Sequence, residues 1–238
     1  GEPVTRKFPA GPDADHQYMH PGLSVSFGWI SGNDYWRMKS PVNHIGFVKQ
    51  PAIENGVLEF EVKNAYLSKN QKATICFELL NLKLKPLKKG QLHVSLNSKF
   101  YNDQNSFIFG DQEESGLAFR ISEDLNVKSG NGRITNDMGM SNGSGTWGKP
   151  FSWIEYSGIR NKKRIGAIIK PRPTNQRKCW AHSRDYGVLV ANPFPRQDRE
   201  QRTPLRPTQI AEKSVYDLSY EMIIFESSPE ILADRVWK

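Results

Sequence analysis

Period-two alternation of apolar and polar residues recurs along most of this 238-residue chain, and it restricts the fold more than any other feature. In GLSVSFGWIS (22–31), Leu23, Val25, Phe27 and Trp29 point one way while Ser24, Ser26 and Gly28 point the other. Leu58, Phe60 and Val62 alternate with Glu59, Glu61 and Lys63, and Leu80, Leu82 and Leu84 alternate with Asn81, Lys83 and Lys85. Ile75, Phe77 and Leu79 lie on the opposite phase, which predicts a bulge or strand break near Leu79–Leu80. QLHVSLN, GLAFRI, FSWIEYS, RIGAIIK, YGVLVAN and DLSYEMIIFE continue the pattern. ENG (54–56), KKG (88–90), SGNG (129–132) and SNGSG (141–145) supply turn signals between them.

Short strands in succession, each with one wet face and no helix between them, predict an all-β chain. The expected fold is an antiparallel β-sandwich, jelly-roll or super-sandwich-like, with long loops. The one helical signal is the C-terminal SPEILADRVWK, with Ser228 as N-cap and Pro229 at the first helical position. No repeat or low-complexity linker divides the chain, so residues 1–238 read as one domain. Residues 1–14 form a loose N-terminal arm, and 191–207 form a long basic loop. The opening GEPVTRKFPAGPDADH is polar and does not read as a signal peptide. There is no apolar run of about 18 residues, so no membrane-spanning helix is expected. Cys76 and Cys179 are two free thiols or one bridge, too few for a disulfide framework or a cysteine zinc site.

The net charge of +8 is unevenly spread. Between Arg160 and Arg206 there are 13 Lys or Arg against three acids, Asp185, Asp198 and Glu200, a local +10 that leaves −2 for the rest. Such a field attracts acidic polysaccharide, nucleic acid or another anionic surface. Charge alone does not choose among them, but the motifs of the common nucleic-acid-binding classes are absent, which ranks nucleic acid below glycan. Nucleotide-binding glycine loops and the HExxH, GxSxG and CxxC signatures are absent too.

The residues able to carry chemistry cluster in aromatic-rich segments. In WAHSRDYGVLVANPF (180–194), alternation puts His182, Arg184 and Tyr186 on one face if the segment is already extended. His182 offers a general acid or base, Arg184 a fork for a carboxylate or sulfate, Tyr186 a phenolic proton and Asn192 a hydrogen-bond donor. The alternative is an Arg184–Asp185 pair that pins a loop. In DHQYMHPG (15–22), His16 and His20 have helical metal-ligand spacing, but Pro21 and Gly22 follow at once, which favours His20 as a pocket residue. Asp34, Tyr35, Trp36 and His44 lie in GNDYWRMKSPVNHIG, where the aromatics stack on a sugar or belong to the core. Glu113 and Glu114 precede a strand that carries Arg120; adjacent strand residues face opposite ways, so at most one of the pair enters a given site. His93, on the polar face of its strand, reads as an ordinary exposed histidine.

Five motifs in this order resemble the bacterial methane oxygenase PmoA-like family across roughly residues 14–226. They are His-Pro-Gly-Leu (20–23), Gly-x-Asp-Tyr-Trp (32–36), Gly-Asp-x-x-Glu-x-Gly with Phe-Arg (110–120), Trp-x-x-Tyr-Ser-Gly (153–158), and Arg-Asp-Tyr-Gly followed by Ala-Asn-Pro-Phe (184–194). The resemblance implies a β-sandwich found near carbohydrate-catabolism genes, with His20, Asp34, Trp36, Glu114, Arg120, Arg184, Tyr186 and Asn192 as the positions to carry over. It does not extend to a membrane-bound copper enzyme, since no spanning helix and no copper site is evident. Met19-His20-Pro21 and Lys170-Pro171 depart from the family pattern and fit a divergent member tuned toward a more acidic ligand.

The function expected is carbohydrate-active, most simply a hydrolase or lyase on a uronate or sulfated oligo- or polysaccharide, in the periplasm or outside the cell. In the lyase form Arg184 or Asn192 neutralises a carboxylate, His182 or His20 takes a proton and Tyr186 protonates the leaving oxygen. In the hydrolase form Glu114 and Asp185 are the acid–base pair. The other reading is a non-catalytic glycan-binding module in which Tyr35, Trp36 and Trp180 stack on sugars. No cofactor is predicted, a structural or catalytic metal is left open, and oligomeric state is not legible.

Overall fold

The structure is a computed structural model that describes residues 3–12, 16–87, 90–110, 112–194 and 207–226. The expected C-terminal helix and residues 195–206 of the basic loop lie outside the described residues.

Among the described residues, fourteen strands form three antiparallel sheets. The small sheet has the order β1-β7-β12-β11, built from β1 (Leu23–Phe27), β7 (Ser115–Arg120), β12 (Val188–Asn192) and β11 (Trp180–Arg184). The large sheet has the order β2-β3-β4-β5-β14-β10-β9-β8. Its strands are β2 (Val42–Glu54), β3 (Val57–Leu67), β4 (Thr74–Pro86), β5 (Gln91–Tyr101), β14 (Val215–Glu226), β10 (Lys163–Pro171), β9 (Ile154–Arg160) and β8 (Arg133–Asn136). A two-stranded piece pairs β6 (Phe107–Phe109) with β13 (Thr208–Ile210), and a short helix α1 spans Asn142–Thr146.

The two sheets pack as a sandwich because alternation gives each an apolar inner face. Phe27, Leu117, Phe119, Leu189 and Ala191 from the small sheet share one core with Leu96, Phe100, Tyr216, Leu218, Tyr220 and Met222 from the large one. Burial of such side chains contributes roughly 1.5–3 kcal/mol each before conformational entropy is charged against it. Near the start of β7, Gly116 has φ +115°, and a Cβ there would meet the Ala191 carbonyl oxygen at 2.3 Å, so only glycine lets β7 and β12 approach this closely.

Three expectations are corrected. Strand β4 runs without interruption through Leu79–Leu80, paired with Lys63 and Val62 on one side and Lys99 and Ser98 on the other. The change of apolar phase arises because both of its faces are partly covered: Phe77 packs against Tyr101 on the outer face. The register shifts fall instead in β2, between His44 and Gly46 and twice more before Ala52. The described part of the N-terminal arm is not loose, because Thr5 bridges to Ile121 and Arg6 is 4% exposed. His93 is not an ordinary exposed side chain; its Nε2 lies 2.6 Å from Glu221 Oε2. Cys76 and Cys179 are both buried free thiols.

Candidate functional site

Strand register assembles the site on the outer face of the small sheet. Arg120 pairs with Val188, which pairs with Arg184, forming one row across three strands. Ala118, Val190 and His182 form the next row, and Asn192 and Trp180 face each other beyond it. Because side chains alternate, these rows share the face opposite the core. Trp36 lies on Ala118, Val188 and Val190 and covers the apolar middle of that face.

A cavity of about 180 Å³ remains beside Trp36, lined by His16, Met19, His20, Arg37, Glu114, Arg120, His182, Tyr186 and Val188. Its wall comes from loops whose geometry is fixed locally. The Arg6 guanidinium donates to the His16 and Met19 carbonyls at 2.6 and 2.7 Å, which pins the loop carrying both histidines. His16 and His20 hold left-handed φ values of 52° and 53°, costly for residues with a Cβ and common where a side chain must be aimed. Gly187, φ +109°, closes the hairpin between β11 and β12 and places Tyr186, whose ring lies 4.9 Å from the Arg120 guanidinium.

The imidazoles differ in state. His20 Nε2 lies 2.9 Å from the Trp36 carbonyl oxygen, which can only accept, so that nitrogen carries the proton and Nδ1 keeps its lone pair. Burial pushes the His20 pKa from 6.5 down to about 4, the bond to Trp36 opposing this and the nearby charge of Arg120 adding to it. His20 is therefore neutral at neutral pH, and its ring lies tilted against that of Trp36, with centroids 4.0 Å apart. His182 is 2% exposed and meets Trp36 edge-on. Its Nδ1 lies 3.5 Å from Glu113 Oε2 and has no hydrogen-bond partner among the described residues.

Glu113 and Glu114 both reach this region, contrary to the strand argument, because they sit in a bend before β7. Glu114 accepts from Arg37 at 2.8 Å, and Arg37 also pairs with Asp34; these carboxylates hold the Arg37 guanidinium's pKa above its ordinary value, although burial opposes them. Arg184 binds Glu113 at 3.3 Å and lies over the Trp147 ring.

His20, Trp36, Glu114, Arg120, His182 and Tyr186 thus come together, with Asp34 and Arg184 one contact behind. The remaining candidates have other places. Tyr35 is a core residue whose hydroxyl donates to the Leu67 carbonyl. His44 is exposed on β2, 3.4 Å from Asn64. Trp180 is buried, with Nε1 donating to the Phe194 carbonyl. Asn192 braces the chain by donating to the Gln112 and Glu113 carbonyls. Asp185 accepts from the Gly143 amide at 2.7 Å, at the start of α1. Arg6 and Arg37 have roles that the sequence reading missed, since neither belongs to a recognisable chemical motif. Among the described residues no group of three His, Cys, Asp or Glu is placed to hold a metal ion. No helix among them is long and apolar enough to cross a membrane.

Fold and site together define an all-β sandwich protein with an imidazole- and arginine-lined cavity on the outer face of its smaller sheet. The chain belongs to DUF6807, a family of unknown function whose profile matches residues 1–237. No curated protein matches the sequence. Among solved structures, the Slr1438 protein of Synechocystis sp. PCC 6803 overlaps it with a TM-score of 0.34 at 12% identity, over 79% of this chain and 66% of that one.

Proposed function

We propose that this protein is an enzyme that acts on an acidic glycan, cleaving next to a carboxylate by elimination. The observation that carries the reading is the convergence of buried His182, neutral His20, Arg120 and Tyr186 on one small cavity. At about 180 Å³ it is smaller than the roughly 300–1,000 Å³ usual for drug-sized ligands, a size suited to one sugar residue. Arg120 faces the carboxylate and stabilises the charge that develops when the adjacent carbon loses its proton. A shortened contact from Glu113 to His182 Nδ1 would fix the proton there and leave Nε2 to accept the substrate's proton; such bonds often tighten only when substrate is bound. The electron pair of the broken C–H bond becomes the new C=C bond, the bond to the leaving sugar oxygen breaks, and that oxygen takes the Tyr186 proton. His182 then returns its proton to the Tyr186 oxygen by way of water, so the site ends as it began.

Elimination is preferred to hydrolysis because Asp185 is committed to Gly143 and Glu113 to Arg184, which leaves Glu114 as the one carboxylate among the described lining residues. Retaining and inverting hydrolysis both need two. A stacking module is disfavoured because Trp36 is 5% exposed and covered by His20, while Tyr35 and Trp180 are buried. A polymeric substrate implies work in the periplasm or outside the cell. The test is product release from uronate-containing, sulfated and neutral polysaccharides, with ultraviolet absorbance and new reducing ends both recorded. We expect an absorbing unsaturated uronate from wild type and none from His182→Ala. New reducing ends without absorbance would replace elimination with hydrolysis, and intact glycans throughout would overturn the enzymatic reading.

A further inference from the structure

A second cavity, of about 260 Å³, opens where the end of β10 meets the approach to β11. Lys170, Arg172, Arg177 and Lys178 line it, and no carboxylate does among the described residues. The loop presenting these cations is anchored rather than draped. Asn175, 7% exposed, donates from Nδ2 to the Ser219 carbonyl at 3.0 Å and accepts the Ser219 amide at 2.7 Å, so its side chain pairs with β14 as a neighbouring strand would. The Arg172 amide also donates to Ser219, and Pro171 and Pro173 fix the backbone on either side of it. The Arg172 guanidinium is oriented by its bond to Glu221, which does not line the cavity. A concavity lined by one sign of charge focuses the field and concentrates anions, and anchoring the loop in advance removes an ordering cost from binding.

We infer that this cavity is an anion subsite for a carboxylate or sulfate on a second residue of the glycan, an inference that rests on the acidic-glycan reading of the first cavity. Lys178 and His182 are four residues apart, with β11 beginning at Trp180, so they lie at most about 14 Å from each other, a span within reach of one oligosaccharide. A nucleic-acid backbone fits less well, because Phe151, the one aromatic among the described lining residues, is 1% exposed and offers no face for a base.

The test is isothermal titration of the full chain with inorganic sulfate and with a galacturonate trimer, ionic strength held constant with chloride. The variants are Arg177→Gln/Lys178→Gln and His182→Ala, with thermal melts checking that each is folded. Wild type binds sulfate saturably; the double variant binds sulfate and trimer about tenfold more weakly or worse, and His182→Ala binds sulfate like wild type. Absence of saturable sulfate binding, or a double variant that binds either probe like wild type, overturns the subsite. So does a single-stranded oligonucleotide that binds through these two residues while the trimer does not bind. These readouts are of binding alone, so a failure to cleave any glycan would sink the enzymatic reading and leave the subsite standing.

Discussion

Two histidine–glutamate pairs in this sandwich have opposite characters. On the outer face of the large sheet, Glu221 is closed off: His93 Nε2 lies at 2.6 Å, Ser95 Oγ donates at 3.2 Å, and Arg172 binds the same carboxylate. On the outer face of the small sheet, His182 Nδ1 stops 3.5 Å from Glu113 and has no hydrogen-bond partner among the described residues, although the side chain is almost wholly buried. A completed network of this kind locks strands together. A buried ring nitrogen left without a bond costs about 1–3 kcal/mol, and beside a cavity that cost is relieved when substrate draws Glu113 onto Nδ1 and leaves Nε2 to act.

Substitutions can break or sharpen that contrast. The largest expected effect is His182→Ala, which should lower kcat/KM on a uronate glycan by about 10²–10⁴-fold, with His93→Ala leaving it unchanged. Tyr186→Phe, assayed the same way, should lower kcat by about 10²-fold with little change in melting temperature, since it deletes only the phenolic proton donor. Stability should rank the pairs in reverse. Glu221→Ala strips the partner from both His93 and Arg172 and should cost about 2–4 kcal/mol in denaturant melts, against under about 1 kcal/mol for the partly exposed Glu113→Ala.

Smaller than the loss of Glu221 is a pH dependence from His20. Its folded pKa of about 4 lies below 6.5, so folding favours the neutral ring. That contribution is complete above pH 6.5 and is lost as pH falls from 6.5 through about 4, because the unfolded chain takes up the proton first. Loss of about 1–2 kcal/mol over this window, allowing for partial exposure, should be largely removed in His20→Gln. An equal slope in the variant would assign the window to other groups.

The sandwich was legible because alternation maps directly onto strands, and runs such as DLSYEMIIFE became β14 almost residue for residue. The β4 bulge was misread because a strand covered on both faces has no single apolar phase. Counting in twos could place His182 and Arg184 on one face, whereas Arg120 joins them only through strand pairing. Which loops would fold over that face could not be read in this way, since contacts such as Arg6 to His16 and Met19 depend on chain reversal rather than on any local pattern. Trp180 and Asn192 looked chemical for the same reason: a buried indole and a bracing amide have the residue types of a binding site, and only their partners distinguish them. Part of the charge excess is also paired among the described residues, with Arg160 held by Asp124, Lys163 by Glu226 and Arg164 by Glu155.

The most direct measurement is nitrogen-15 NMR of the histidine side chains during titration with the galacturonate trimer. The account predicts that the His182 and His20 ring resonances shift together and saturate, with Nδ1 of His182 protonated in the bound state, while His93 stays where it was. Trimer binding that leaves His182 and His20 unmoved, or that moves His93 alone, would contradict it.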